Sequence, residues 1–204
     1  MLFSEIDLYV KENNVGGWLR SEERRELFLL ASRAEGIIVE LGCYQGLSTL
    51  YLAAGAESRG GKTNVVSVDY FKGGPESEYR ERFWSDPEQI REKYVENIRR
   101  AGFAEIVTLI QMDTVAAAQI DLDEVGLLFI DADHSYEGAL NDLNAWYPKV
   151  VSGGTVAMHN ASGMGVNDRQ VKYPGAMKVF ADAVSEGWLS EPRMVGTMGI
   201  GIKP

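Results

Sequence analysis

The chain reads as a doubly wound α/β domain whose mostly parallel, seven-stranded sheet is closed by a C-terminal antiparallel hairpin. Three observations predict this. Short β-branched runs alternate with longer charged stretches of helical period. The first run, residues 36–41 (GIIVEL), is nearly continuous in apolar residues, as befits a strand covered on both faces. At the end of the chain, two extended pieces follow each other too closely for a crossover helix, which requires an antiparallel pair.

The elements follow in order. A helix begins near Ser21, read as its N-cap, with glutamates in the first turn and Leu27, Leu30 and Ala31 on the apolar side. Four strands follow the first: residues 64–69 (NVVSVD), 106–111 (IVTLIQ), 125–131 (VGLLFID) and 155–159 (TVAMH). Helices are expected between them at 47–59, 87–101, 114–120 and 136–150. A last helix at 176–186 precedes the extended pieces 193–195 and 198–202, turned on Gly196 and Thr197. Two connections, 70–87 and 161–175, far exceed the usual length of about 4–6 residues. Both follow the carboxyl end of a strand, the edge on which open α/β sheets bind ligands, and are expected to be lids. Tyr79, Phe83 and Trp84 in the first would serve as a substrate cover or as the apolar side of a surface helix. Without repeat, low-complexity tract or Pro/Ser-rich linker, residues 1–204 are expected to form one domain, with 1–35 as a helical cap.

Composition excludes several function classes. Thirty acidic against 20 basic residues give a net charge of −10, which repels phosphate backbones and anionic lipid. A basic cluster at Arg80, Arg82, Arg91, Lys93, Arg99 and Arg100 is interleaved with glutamates, so no nucleic-acid partner is expected. One cysteine, Cys43, removes a disulfide framework or a Cys-rich zinc site, and it is expected to fill space. The first residues carry Glu5, Asp7, Lys11 and Glu12, unlike a signal peptide, and no apolar run approaches the roughly 20 residues of a membrane span. A cytoplasmic protein with no membrane partner is expected, and the N-terminal helices offer a face for a homodimer.

The strongest local signal is Glu40-Leu41-Gly42-Cys43-Tyr44-Gln45-Gly46-Leu47-Ser48, where a strand gives way to a helix. Gly42 permits a sharp turn, and Gly46 lets backbone approach a ligand at the helix start. Asp69 ends the second strand, where a carboxylate can accept both hydroxyls of a ribose. The glycine spacing is neither G-x-G-x-x-G nor that of a triphosphate loop.

This E-x-G-x-x-x-G element resembles the first motif of class I S-adenosylmethionine-dependent methyltransferases, and ELGCYQGLS is especially similar to the catechol-type O-methyltransferases. The passage Phe129-Ile130-Asp131-Ala132-Asp133-His134-Ser135-Tyr136-Glu137-Gly138, with Asp142-Leu143 and Trp146-Tyr147-Pro148 beyond it, resembles the group of macrolide-sugar O-methyltransferases and cephalosporin hydroxylase-like proteins. The likeness runs from about residue 36 to 159. It implies a Rossmann-like methyltransferase sheet, S-adenosyl-L-methionine as cofactor and, in metal-dependent members, Mg2+.

Carried over, the resemblance implies that Glu40, Gly42 and Tyr44 line the methionine end, that Ser48 bonds its carboxylate and that Gly46 belongs to the cofactor-binding set. Asp69 would hold the ribose, Asp113 the adenine side, and Asp131 would sit beside the methyl group. Methyl transfer needs an oxygen aligned with the sulfonium methyl and a group that takes its proton. Asp131 and Asp133, with His134, His159 and Asn160 at the neighbouring strand end, are the candidate catalytic set. Asp131 and Asn160 offer two oxygens to magnesium. Where metal-dependent relatives carry an acidic residue after the fifth strand, this chain has His159-Asn160, which removes a negative charge from such a site. Without an ion, His159 or His134 is the candidate base. His134 alternatively caps the following helix. The expected function is O-methylation of a small-molecule hydroxyl, the alternatives being a non-catalytic nucleoside-binding module or a hydroxylase-like relative on the same fold.

Overall fold

Two helices precede the sheet in the computed structural model, which describes all residues except 59, 61–63, 74–85, 123 and 166–171. They are α1 (Phe3–Glu12) and α2 (Ser21–Arg33). Next come β1 (Ile37–Leu41), α3 (Leu47–Ser58), β2 (Val65–Val68), α4 (Pro87–Arg100), β3 (Val107–Ile110), the short α5 (Thr114–Ala117) and β4 (Val125–Ile130). The chain closes with α6 (Tyr136–Trp146), a 3-10 turn (Tyr147–Lys149), β5 (Val150–Met158), α7 (Pro174–Ser185), β6 (Ser190–Val195) and β7 (Met198–Ile202).

The sheet order is β3-β2-β1-β4-β5-β7-β6. Strands β1 to β5 pair in parallel, and β7 runs antiparallel to both β5 and β6, as the terminal hairpin predicts. Strand order reverses between β1 and β4, which opens a crevice beyond their carboxyl ends. The register brings these ends level: Leu41 pairs with Val68 on one side and Ile130 on the other. The ladder then continues one residue further, with Gly42 N–H donating to Val68 O, Asp131 N–H to Leu41 O and His159 N–H to Ile130 O. Gly42, Asp131 and His159 therefore emerge on one edge.

Packing explains why these strands read as apolar throughout. Ile38 and Leu127 are buried among α1, α2 and α3 with Ile6, Val10, Leu27 and Leu50. Val39, Leu41, Leu128 and Ile130 are buried on the other face with Leu143, Trp146 and Phe180. Each such side chain contributes about 1.5–3 kcal/mol on burial. Helix α2 lies so close to α3 that a Cβ on Gly55 would stand 2.3 Å from Phe28 O.

Several boundaries differ from expectation. Ser21 is the first helical residue rather than the cap, because Glu23 reaches back to accept from Arg20 N–H at 2.7 Å. The helix expected over 136–150 stops at Trp146, since Pro148 supplies no N–H to continue it. Strand five starts at Val150, not 155: its pairing jumps from Val125↔Val150 to Val156↔Leu128 through Thr155↔Leu127, and the irregularity absorbs Gly153 and Gly154. Strand β6 begins at Ser190 and carries Pro192, tolerated because β6 is the sheet edge. Helix 114–120 shortens to Thr114–Ala117. Arg59, Tyr79, Arg80, Arg82, Phe83 and Trp84 lie outside the described residues, as does much of both expected lids. Among the described basic residues, Arg91 pairs with Glu88 and Arg100 with Glu96, so the interleaved glutamates do neutralise part of that cluster.

Candidate active site

The turn after β1 is built from glycine conformations and an acidic anchor. Gly42 has φ +82°, and a Cβ there would stand 2.3 Å from Asp131 O, so the ends of β1 and β4 meet only because this residue is glycine. Tyr44 holds a left-handed φ of +45°, a conformation that costs about 1–3 kcal/mol in a non-glycine residue. Asp69 secures it: its Oδ2 accepts from the Cys43 and Tyr44 N–H groups at 2.9 and 3.0 Å, and its Oδ1 from Phe71 N–H at 2.7 Å. The Tyr44 ring also lies against Trp18, with centroids 5.0 Å apart. Gly46 (φ +90°) donates to Cys43 O and packs on Tyr94 of α4.

Glu40 supports this turn from beneath. It is fully buried, and its Oε2 accepts from Thr49 Oγ1 and Ser67 Oγ, both at 2.6 Å. The other carboxylate oxygen, Oε1, is buried without a hydrogen-bond partner. Burial pushes the Glu40 pKa up to about 7 against these donors. Glu40, Thr49 and Ser67 thus form one buried knot that fixes the start of α3, where Ser48 is also buried. Asp113, exposed at the end of β3, caps α5 by accepting from Ala116 N–H at 3.0 Å. Asp133 turns toward α6, accepting from Ser135 N–H at 2.8 Å and occupying the space a Gly138 side chain would need. The helix cap proper is Ser135, whose Oγ accepts from Gly138 N–H, so capping is not the task of His134.

Asp131, His134, His159 and Asn160 do come together. Asp131 Oδ1 lies 3.2 Å from His134 Nε2 and 2.9 Å from His159 Nδ1. Asn160 Nδ2 lies 3.0 Å from His134 Nε2, while its buried Oδ1 has no partner. The His134 ring, one-fifth exposed, stacks on Tyr173 at 4.5 Å. A groove of about 380 Å³ opens beside it, bordered by Tyr136, Lys172, Pro174 and Lys178.

A residue that motif reading missed completes the cluster. Glu23 of α2, fully buried, places Oε2 3.4 Å from His159 Nε2, and its Oε1 accepts from the N–H and hydroxyl of Thr197 at 2.6 and 2.7 Å. The available signal was a carboxylate four residues before Leu27, on the helix's own apolar stripe. Burial works to lower the His159 pKa, but the carboxylates of Asp131 and Glu23 outweigh it and raise it to about 10. Burial likewise opposes ionisation of Asp131, yet the two histidines win and hold its pKa below the usual value. Flanked by two carboxylates, the His159 ring is favoured in its protonated form. His134 is left as the accessible imidazole.

The site can be tested against the groups the sequence implies. For S-adenosylmethionine the fit is good. The ionised Asp131 lies at the strand-order reversal, and Tyr70 and Met112 stand exposed at the adjacent ends of β2 and β3, offering apolar surface to an adenine. For magnesium it is poor. That ion prefers oxygen ligands in octahedral array, whereas two of the three convergent donors are imidazole nitrogens.

Residues 39–161 match a protein family described as a methyltransferase domain. Solved structures share the fold. An O-methyltransferase from Bacillus cereus in complex with SAH aligns at TM-score 0.65 and 15% identity, over 98% of this chain and 90% of that one. The O-methyltransferase TomG of Streptomyces achromogenes, involved in tomaymycin synthesis and solved with SAM, aligns at 0.65 and 14%, over 99% and 89%. The O-methyltransferase NovP aligns at 0.67 and 16%, over 89% and 79%.

Proposed function

The chain belongs to the methyltransferase-domain family, and from that premise we propose that it transfers a methyl group from S-adenosylmethionine to a hydroxyl oxygen of a small molecule. The observation that carries this reading is the meeting of Gly42 and Asp131 at the strand-order reversal, where an ionised carboxylate faces an open edge.

When bound, S-adenosylmethionine supplies an electrophilic methyl on a positively charged sulfur. The chain's own residues do the rest. Asp69 holds the turn 42–46 in its left-handed shape, Glu40 anchors the start of α3 beneath it, and Gly42, Tyr44 and Gly46 present that turn to the methionine end, where Ser48 would bond the carboxylate. Tyr70 and Met112 cover the base, with Asp113 at the rim of β3. Asp131 offers negative charge opposite the sulfonium, and the His159 imidazolium keeps that carboxylate ionised. In the metal-free protein the His134 imidazole, at the mouth of the 380 Å³ groove, takes the proton of the acceptor hydroxyl on the ring nitrogen away from Asp131, and the Asp131 carboxylate 3.2 Å from Nε2 steadies the imidazolium that results. Asp133 acts indirectly, by fixing the backbone that follows His134.

The same reading makes the chain one cytoplasmic domain, with residues 1–35 as its helical cap, a small molecule as its partner and no nucleic acid. A second copy would pack on the N-terminal helices, where Leu2 and Leu8 are exposed. No helix among the described residues is long and apolar enough to cross a membrane.

The test is methyl release from labelled S-adenosylmethionine against a panel of hydroxylated small molecules, in the presence of EDTA. Stoichiometric S-adenosylhomocysteine and methyl ether support the proposal. Cofactor binding with no turnover on any acceptor supports a nucleoside-binding module instead, and an oxygen-dependent product supports hydroxylase-like chemistry.

A further inference from the structure

The single helical turn that follows β3 is gripped by α6 through both main chain and side chain. Thr114, the first residue of α5, donates from Oγ1 to Asp142 Oδ1 at 2.5 Å, and its carbonyl accepts from Trp146 Nε1 at 2.8 Å. We propose that Asp142 and Trp146 are positioning residues for the cofactor: by holding Thr114 they fix segment 112–115, against which the adenine of S-adenosylmethionine packs.

Asp142 and Trp146 are four apart on α6, so they project from one face and reach the same residue. The four residues of α5 are too few to hold a helical conformation unaided. Ala117 and Ala118 pack in one cluster with Leu143 and Trp146, but small, smooth alanines leave the rotation of the turn undetermined. Two directed hydrogen bonds supply it. The setting reaches the crevice through side chains: Met112 and Val115 flank Asp113 and Thr114, and both are exposed, as is Tyr70 beyond the neighbouring strand β2. Exposed apolar groups on a carboxyl edge suit the flat face of a purine.

Stability does not account for the pair. Asp142 is 1% exposed, and its Oδ2 is buried without a partner. Burial, with the carboxylates of Asp133 and Asp113 nearby, disfavours its charged form. Replacing both members of a buried hydrogen bond by apolar groups of similar shape is nearly neutral or even stabilising, so a purely structural contact has no need of a carboxyl here. What the pair adds is direction. The Thr114 hydroxyl meets Oδ1 in one setting of the turn, and a carboxyl oxygen accepts whether or not the group carries its proton.

This role rests on the S-adenosylmethionine reading, and separate outcomes test the two. Calorimetry at pH 7 measures the binding of S-adenosylhomocysteine, and of adenosine, which lacks the methionine end, to the tag-free chain. Thr114→Val keeps the shape of a half-buried side chain and removes only the hydroxyl, and should weaken both ligands about tenfold. Thr114→Ser and Asp142→Asn keep donor and acceptor, and should hold both affinities within about twofold of wild type. Thr114→Val combined with Asp142→Leu should recover the stability lost in Thr114→Val, measured in urea, without recovering affinity. A wild-type chain that binds neither ligand overturns the cofactor reading and this role with it. If wild type binds both, the positioning role alone is overturned by a folded Thr114→Val protein that binds as tightly, by loss of S-adenosylhomocysteine without loss of adenosine, or by affinity that returns with stability in the double variant.

Discussion

Glu23 on α2 and His159 at the end of β5, distant in sequence, meet with Oε2 3.4 Å from Nε2, and neither side chain is more than 2% exposed. The N-terminal helices are thereby tied to the carboxyl edge of the sheet through one buried charged contact. Glu23→Gln leaves the His159 charge with one fewer partner and should cost about 3 kcal/mol in urea denaturation at pH 7. The sign with pH follows from the two shifts. Glu23 has a lowered pKa, so its contribution is present above 4.5 and is lost as pH falls through the folded value. His159 has a raised one, so its contribution is full below 6.5 and is lost as pH rises through about 10. The difference between wild type and variant should be largest between these limits and shrink on both sides.

Asp142 gives an independent pH test. It is buried on α6, accepts from Thr114 Oγ1 at 2.5 Å, has its Oδ2 unpartnered, and is pushed by burial up to a pKa of about 7. A raised carboxylate pKa favours the fold fully below 3.8, and the benefit disappears as pH rises through about 7. Asp142→Asn removes that loss. Calorimetry should show a melting temperature about 5 °C above wild type at pH 8 and nearly equal to it at pH 5.

Gly42→Ala should damage the site by sterics alone. Its Cβ would fall 2.3 Å from Asp131 O at a φ of +82°, so β1 and β4 must separate at their ends. A loss of about 2–4 kcal/mol in stability is expected, with cofactor binding weakened at least about tenfold. Gly102→Ala, also at positive φ but with no atom within 4 Å of the added Cβ, supplies the control: backbone strain without the clash, and unchanged cofactor binding.

His134→Gln removes the proposed proton acceptor. In chelator, kcat for O-methylation should fall about 100-fold or more while the KM for S-adenosylmethionine stays within about twofold. Equal losses in binding and turnover would assign His134 to substrate positioning instead.

The parts of this molecule legible in its sequence are those set by local chemistry. β1 was recognisable from GIIVEL because both its faces are buried, and the glycine turn because its shape admits few other residues at 42 and 46. Asp131 and His159 could be placed at strand ends, since strand runs stop visibly at polar residues. Their mutual distance could not, because it depends on the register of β4 against β5, and that register passes through an irregularity at Gly153 and Gly154. Glu23 stood out only as a carboxylate on an apolar stripe, and its partner was hidden for the same reason at longer range. Its role is set by how α2 docks beside the β6–β7 turn, which no spacing in the chain encodes. Acidic residues assigned by analogy to ligand contact proved to be divided. Asp69 spends both oxygens on backbone N–H donors of the chain, Glu40 gives Oε2 to two hydroxyls while its Oε1 has no partner, and Asp131 keeps a face toward the open edge.

The central claim is that the edge formed by Gly42 and Asp131 holds S-adenosylmethionine, and calorimetric titration with S-adenosylhomocysteine tests it most directly. The account predicts one site per chain in the micromolar range for wild type, weakened at least about tenfold in Gly42→Ala and unchanged in Gly102→Ala. A wild-type protein that fails to bind the ligand at millimolar concentration, or a folded Gly42→Ala protein that binds it as tightly, would contradict the account.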